Sequence, residues 1–405
     1  MILTKHKEKH MKKPSQHDIK IIRSRKEIEE IRSFWEKVQY HPNTDIDHYL
    51  TVIDSLDNVI SPYIILFSVD GQPETLAVGR IENNDMVISL GYKTFYKVKV
   101  KCLTILYAGL LGNWSNEINI ALVRALMKEL RYKVADIAWF NLLHVQSDLY
   151  NISKKIPNYF CRDHVIEKNT HWKMTLPDSF DSFLKKMTAK HRYWLNRLPR
   201  VFQKDYPGKI EYKYFKNGEY FEQLIADIER IARKSYQRGI GAGFIDNSMM
   251  RQCLSVAAKK GHMRAYLLYV DDEPCAFWIG TLYKNIFYLD YTSYDATYKR
   301  YEPGTILFMR MLEDIITESK ATEIDFGFGD AFYKQRFGNQ QWMESSVFLY
   351  APTIKGAALN LMRTLNVIPY RYAMRLAERT NILPKVKRLW RNKLIDDQSN
   401  TDADT

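Results

Sequence analysis

Two stretches of the chain carry the same run of apolar and polar positions, 201 residues apart. Tyr63-Ile-Ile-Leu-Phe-Ser-Val is followed by Asp70-Gly71-Gln72-Pro73 and then Leu76-Ala77-Val78-Gly79. Arg264-Ala-Tyr-Leu-Leu-Tyr-Val is followed by Asp271-Asp272-Glu273-Pro274 and then Phe277-Trp278-Ile279-Gly280. Each reads as a strand, a tight polar turn and a second strand, so each predicts a β-hairpin. The pattern continues more loosely. Ile120–Leu130 and Thr305–Ser319 have helical periodicity, and each precedes an apolar strand, Ala135–Leu142 and Glu323–Phe326. A long unit present twice is a duplicated domain, not a solenoid.

Helices surround both units. Arg25–Val38 opens the first; Phe180–Leu198 and Tyr220–Tyr236 flank the strand Ile210–Phe215 at the start of the second. Helices alternating with a mixed sheet make an α/β layered fold. At the end of the chain Leu359, Met362, Leu365, Ile368, Tyr372, Leu376, Ile382, Val386 and Leu389 recur at roughly helical spacing, interrupted by Pro369 and Pro384. They predict two or three short amphipathic helices.

Composition excludes several classes. Apolar residues are 46% and charged residues 26% of 405, globular values that rule out wholesale disorder. No apolar run reaches the roughly 18 residues of a spanning helix. The basic N-terminus has no apolar core, so a secretory signal is not expected. Cys102, Cys161, Cys253 and Cys275 lie far apart with no CxxC spacing, which argues against zinc or a dithiol centre and fits a reducing cytoplasm.

The net charge of +13 is unevenly spread. Residues 1–26 carry +7, residues 354–395 carry +9, residues 396–405 carry −4, and 185–216 alone carry +8. Three basic segments therefore sit on an otherwise acidic body. An anionic membrane surface, a nucleic acid or a phosphorylated substrate would each suit them. The predicted organisation is a basic disordered arm (1–20), a first domain (21–175), a second (176–350), a basic helical tail (351–395) and an acidic disordered end (396–405). The tail's apolar stripe and basic face suit packing on the body or an anionic interface at the inner face of the membrane.

One order of motifs in the second unit points to chemistry. The basic helix Lys190-His191-Arg192-Tyr193-Trp194-Leu195-Asn196-Arg197 comes first, then the hairpin through Asp271–Pro274 and the strand Ile286–Tyr291. The turn Tyr294–Tyr301 follows, then Pro303-Gly304 opening a helix, and finally Asp325-Phe326-Gly327-Phe328-Gly329-Asp330-Ala331-Phe332-Tyr333-Lys334. A helix start offers unpaired N–H groups and a positive dipole end, suited to a pyrophosphate. Gly304 permits close backbone approach, and Lys299 and Arg300 add positive charge. A carboxylate at a strand end followed by Gly327, Gly329 and Gly338 suits a substrate cleft.

In this order the chain resembles the GNAT acyltransferase superfamily, in the BioF2-like (CelD/BcsL-type) branch related to the FemABX peptidyltransferases. The resemblance covers about 21–350 and is strongest over 176–345. It implies tandem GNAT-like domains, each a mixed, mostly antiparallel sheet flanked by helices, plus the C-terminal helical tail. It implies acetyl-CoA or another acyl-CoA as co-substrate, no metal, and Lys299, Arg300, Pro303, Gly304 and Thr305 around the donor pyrophosphate. Pro303 and Thr305 stand where GNAT enzymes carry small residues, which leaves a FemABX-like aminoacyl-tRNA donor as the alternative. Lys334, in Tyr333-Lys334-Gln335-Arg336-Phe337-Gly338, resembles a FemABX lysine at the acyl-transfer site. A cation there would steady an oxyanion.

The base for the incoming nucleophile is Asp325, Asp290 or His191; the sequence does not choose among them. His191, Arg192 and Arg197, with Tyr291, Asp330 and Tyr333, are the expected acceptor contacts, since Arg suits bidentate phosphate recognition. No Gly-x-Ser-x-Gly occurs, so no covalent nucleophile is indicated. Gly239-Ile-Gly241-Ala-Gly243-Phe244 follows a helix rather than a strand and is no dinucleotide fingerprint. Asp325-Phe326-Gly327 lacks the loops that would make it a kinase motif. The first unit has no counterpart of the Pro-Gly turn or the Tyr-Lys element. It is expected to wall the cleft, with His41-Pro42-Asn43 and Tyr107–Trp114 contributing. Taken with this resemblance, the sequence predicts a cytoplasmic acyltransferase acting on an amine or hydroxyl of a small molecule or sugar; a cell-envelope or exopolysaccharide precursor is what the resemblance alone implies, and no nucleic acid is expected apart from tRNA under the aminoacyl-tRNA alternative. A non-catalytic assembly protein for polysaccharide synthesis is the reading from another class.

Overall fold

The computed structural model describes residues 18–90, 93–216, 218–235, 238, 243–329 and 331–379. Its strands are β1 (Asp18–Ile22), β2 (Val59–Val69), β3 (Gln72–Leu90), β4 (Lys93–Gly112), β5 (Ile137–His144), β6 (Lys168–Thr175), β7 (Ile210–Phe215), β8 (Met263–Val270), β9 (Glu273–Tyr283), β10 (Ile286–Tyr294), β11 (Glu323–Phe328) and β12 (Gln340–Tyr350). They form one sheet in the spatial order β1-β2-β3-β4-β5-β12-β6-β11-β10-β9-β8-β7. Only β4/β5 and β10/β11 run parallel; the other neighbouring pairs are antiparallel.

That order is a palindrome of two units. The first is β1-β2-β3-β4-β5 closed by β12, the second β7-β8-β9-β10-β11 closed by β6. The sixth strand of each unit in chain order is therefore exchanged into the other. The division of the chain at 175/176 predicted from sequence is thus not a division of the sheet. Residues 168–175 complete the second unit and residues 340–350 complete the first.

Each hairpin is buried on both faces, which explains its nearly unbroken apolar runs. Tyr63, Ile65 and Phe67 pack on Ile118, Leu122 and Leu126 of the helix Asn116–Arg131, while Ile64 and Leu66 meet Ile28, Trp35 and Tyr49 on the other face. In the second unit Tyr266 and Leu268 meet Ile306, Leu307 and Met311 of the helix Pro303–Glu318. Ala265 and Leu267 meet Leu224, Ile225 and Ile228 of the helix Phe221–Ala232. The repeated glycines have a steric cause. A Cβ on Gly79 would stand 2.5 Å from the Thr104 carbonyl oxygen, and one on Gly280 2.3 Å from that of Tyr288. The hairpin and the next strand approach too closely for any side chain.

Several boundaries differ from expectation. Residues 18–20, predicted as disordered arm, are in β1, paired antiparallel to β2. The opening helix is two, Arg25–Glu30 and Arg32–Val38, broken at Ile31 (φ −105°, ψ 6°). The predicted helix Phe180–Leu198 stops at Lys185 and restarts at Ala189, where the Thr188 side chain accepts the His191 N–H; it then runs through Pro199 to Asp205. Among the described residues the tail is one helix, Ile354–Arg379, running through Pro369; Pro384 lies outside them. Tertiary anchors override the proline. Leu359 is buried, Asn360 donates to the carbonyls of Phe160 and Arg162, and Arg363 pairs with Asp163 and Glu167. Residues 1–17, 239–242 and 380–405, with the arm, the glycine loop and the rest of the tail, lie outside the described residues. Among the described residues no helix is long and apolar enough to cross a membrane.

The close approach at Gly280 is testable. Gly280→Ala is expected to cost about 1–3 kcal/mol in denaturant unfolding. Gly304→Ala, whose Cβ would meet only Tyr294 Cδ1 at 3.6 Å, is expected to lie within about 1 kcal/mol of wild type.

Candidate active site

The parallel pair β10/β11 holds register for three residues, Ile286↔Glu323, Phe287↔Ile324 and Tyr288↔Asp325, and then opens. Two distortions accompany the opening. β10 bulges between Leu289 and Tyr291, leaving Asp290 out of the ladder with β9. Gly327 in β11 has φ 67° and Gly329 just after it φ 95°, conformations glycine adopts freely. Past Tyr288 the β10 edge facing β11 has no ladder partner, so its amides are open to a ligand.

Asp290 faces a cleft of about 470 Å3 between the two units. Helix Ile46–Ser55 of the first unit and helix Ser248–Lys259 of the second form its sides, held together by Lys260 Nζ on Asp45 (2.6 Å) and Asp47 (2.6 Å) and by Ser55 Oγ on Gln252 (2.7 Å). The Asp290 side chain is exposed to this cleft. The protein lining the cleft thins the water round this carboxyl and pushes it up to about 7; the Thr281 hydroxyl, donating at 2.8 Å, pulls the other way, and the charge of Asp325 adds to the rise. Tyr291 lines the same cleft and meets Phe244 edge-on at 5.8 Å.

Asp325 is buried and committed elsewhere. His171 of β6 bridges it (Nε2 to Oδ1, 2.7 Å) and Glu344 of β12 (Nδ1 to Oε2, 3.2 Å). Asp325 also accepts the Gly327 N–H at 2.8 Å. Burial alone would lower the His171 pKa, but the hydrogen bonds and charges of the two carboxylates outweigh it and push it up to about 9. Burial works to raise the Asp325 pKa; the bond to His171 and its charge hold the carboxyl below the usual range. Asp325 is therefore an ion-pair partner and a poor base, contrary to its place among the sequence candidates. Trp342 stacks on His171 at 4.3 Å, and Tyr107 lies on the ring at 6.1 Å with its hydroxyl 3.3 Å from Nδ1.

The other expected residues divide. Lys334 is buried, and its ammonium donates to the Phe328 carbonyl at 2.7 Å, which ties the turn after β11. At the start of the helix Pro303–Glu318, Thr305 N–H and Ile306 N–H both donate to Glu302 O, and Pro303 has no N–H. Gly304 N–H is the remaining amide of the first turn. Arg300 turns away to Asp205 (3.2 Å), and Lys299 is exposed. The cation the structure places at this helix start is Arg336, 4.0 Å from Glu302 and stacked over Trp194 and Phe332. Arg192 donates to the Met187 carbonyl at 2.7 Å, at the end of the helix Phe180–Lys185, so it is spent on structure. His191 lies against Trp194 and Phe337, its Nε2 buried without an acceptor among the described residues. Arg197 is exposed on the same helix. Tyr333 packs edge-on against Trp278 and Phe326. Asp330 lies outside the described residues. Among those residues no group of side chains could hold a metal ion.

His171, Glu344 and Arg336 were not singled out from sequence, and Tyr107 only as the start of the stretch Tyr107–Trp114. The available signal was a histidine in Thr170-His171-Trp172 and an acid in Met343-Glu344-Ser345, each inside an otherwise strand-like run.

His171→Gln would leave two buried carboxylates side by side and is expected to cost about 3–5 kcal/mol. The folded protein binds the His171 proton more tightly than the unfolded chain, whose value is 6.5. Its contribution is therefore complete below 6.5 and lost as pH rises through about 9. Thermal unfolding across that window is expected to show a fall in Tm for the wild type and a flatter curve for the variant.

Residues 189–335 match the model of the acetyltransferase (GNAT) domain family. The whole fold is similar to the crystal structure of FemX, with 10% identity over 79% of this chain and 95% of that one and a TM-score of 0.51. It is also similar to a tandem GNAT protein from the clavulanic acid biosynthesis pathway, with 9% identity over 83% and 99% and a TM-score of 0.50. L-PGS from Bacillus licheniformis aligns at 12% identity over 87% and 96%, with a TM-score of 0.47. No curated protein sequence matches the chain. The helix start, the opened parallel pair and Asp290 all fall within the matched residues: this segment is a GNAT acetyltransferase domain set in a tandem GNAT fold, and by that domain the chain is an acyltransferase.

Proposed function

We propose that the chain moves an acyl group, acetyl in the simplest case, from acyl-CoA to an amine or hydroxyl, with Asp290 as the base. The observation that carries this is the position of Asp290. It stands on the bulge where β10 and β11 part, with the opened strands on one side and the cleft between the units on the other. A donor laid in the opening has strand-edge amides for its own amides, and Gly304 N–H and Arg336 for its phosphates. An acceptor in the cleft meets a carboxyl whose pKa lies near neutrality, the range in which a general base works best. Asp290 takes the proton as the nucleophile attacks the carbonyl carbon; the carbon–sulfur bond breaks and the thiolate leaves. A sugar or cell-envelope precursor as acceptor, and a peripheral membrane contact through the exposed Leu361, Leu365 and Tyr372 of the last helix, belong to the same proposal.

One observation favours a second donor. Pro303 removes an amide from the helix start and Glu302 adds an acid there, so the phosphate cradle is thin. An aminoacyl-tRNA donor would not need it.

Calorimetry with CoA and acetyl-CoA separates the two. Binding by the wild type and its loss in Gly304→Trp are expected; no binding at millimolar CoA would turn the assignment to aminoacyl-tRNA. Asp290→Asn is expected to keep CoA affinity and slow CoA release from acetyl-CoA by roughly 10²–10⁴. The base must be ionised, so kcat/KM is expected to rise with pH through about 7 in the wild type and to lose that step in the variant.

A further inference from the structure

The first unit has an opening of its own. β4 and β5 pair in parallel from Cys102↔Ile137 to Ile105↔Phe140 and then part. Leu142, two residues past the last pair, is left-handed at φ 59°, as Gly327 is two residues past Asp325 in the second unit; Ala108 on β4 is left-handed at φ 58°. A cavity of about 350 Å3 fills this opening and ends on the exchanged strands.

Its chemistry is not that of a phosphate site. The helix after β4 is already capped, since the Ser115 side chain accepts the Ile118 N–H, and Lys173, a cation on the wall, pairs with Glu323 at 2.9 Å. The far wall instead holds Asp325 and Glu344, bridged by His171; Glu344 also accepts from Trp342 Nε1 (2.8 Å) and the Tyr107 hydroxyl (3.4 Å), and with Glu323 the three acids face only two cations, His171 and Lys173, the latter 5.8 Å over the Trp342 ring. Tyr40, Tyr107, Tyr288 and Trp342 supply aromatic rings. His41 lines the cavity as well, and burial pushes its pKa down to about 3, so it brings no positive charge. Its Nδ1 accepts the Asn43 N–H at 3.0 Å, which puts the ring proton on Nε2. That Nε2–H has no acceptor among the described residues. The cavity therefore lacks one positive charge and one hydrogen-bond acceptor.

We propose that this cavity binds a small organic ammonium ion carrying an oxygen acceptor, with the cation among the aromatic rings and the Asp325–Glu344 wall and the oxygen on His41. An excess of buried negative charge is costly unless paired, and aromatic rings favour a desolvated cation. The bound group is not the reacting amine, because two carboxylates would keep it protonated and without a free electron pair. It is a recognition group. His41 and Tyr288, 4.5 Å apart, both line this cavity, while the neighbouring Pro42, Asn43 and Asp290 line the acceptor cleft. On the acyl-transfer reading above, on which this last step rests, the acceptor then has two ends: a nucleophile at Asp290 and a separate ammonium in the first unit.

Choline is a suitable probe because its charge does not depend on pH, and dimethylbutanol is its neutral carbon isostere. Calorimetry on the full chain, without any acyl donor, is expected to show choline binding at least roughly tenfold tighter than the isostere. Glu344→Gln and Tyr40→Leu, the second at a position 48% exposed, are each expected to weaken it by a similar factor. Asp290→Asn is expected to leave it unchanged. Equal binding of the isostere, unchanged binding in both cavity variants, or no choline binding at roughly 100 mM would each overturn the proposal. CoA binding is measured separately, so failure here leaves the acyl-transfer reading standing, and failure there leaves the cation site.

Discussion

A buried imidazolium between two carboxylates holds this molecule together at its centre. His171 lies on β6, Asp325 on β11 and Glu344 on β12, the three strands that meet where the units exchange their last strands. Hydrogen bonds of the ladder would tolerate a slip of register; a charge triad with one geometry does not. The pairing of β6 with its two neighbours is thus pinned at the point from which both openings are measured. Asp325 is the last residue of β11 paired with β10 and also a wall of the first unit's cavity. One ion pair therefore lies between the opening beside Asp290 and the second cavity.

The two units keep the same backbone solution and use it for different chemistry. Both open a parallel pair after three or four paired residues, and both place a left-handed residue two positions later. In the second unit the opening leads to a helix start with a free amide and an arginine. In the first it leads to carboxylates and aromatic rings. The difference lies in side chains at equivalent places rather than in the path of the chain, as expected when function is grafted on a duplicated scaffold.

Local pattern explains what was legible in the sequence. The hairpins could be read from Asp70–Pro73 and Asp271–Pro274 because turn chemistry and apolar alternation lie within a dozen residues. Asp290 was readable as a carboxylate on a central strand, although one side of the cleft it faces comes from a helix some 240 residues earlier in the chain. What was not legible was non-local. Nothing in Thr170-His171-Trp172 announces a partner at 325 and another at 344. The helix at Pro369 was cut short on a local rule, while Asn360 and Arg363 hold it through residues 160–167. Arg300 and Arg192 have the right composition for phosphate binding but are turned onto Asp205 and the Met187 carbonyl by the packing around them.

The strand exchange also dictates an order of events during synthesis. β5 leaves the ribosome early, yet its neighbour β12 begins only at Gln340, almost two hundred residues later. At ordinary translation speeds that interval is roughly 10–40 s. Throughout it the first unit presents an unpaired strand edge beside an unfilled opening, the kind of edge that invites pairing with a stranger. Neither unit can be completed by its own sequence, and shortening the protein at residue 175 would produce an open half rather than a smaller domain.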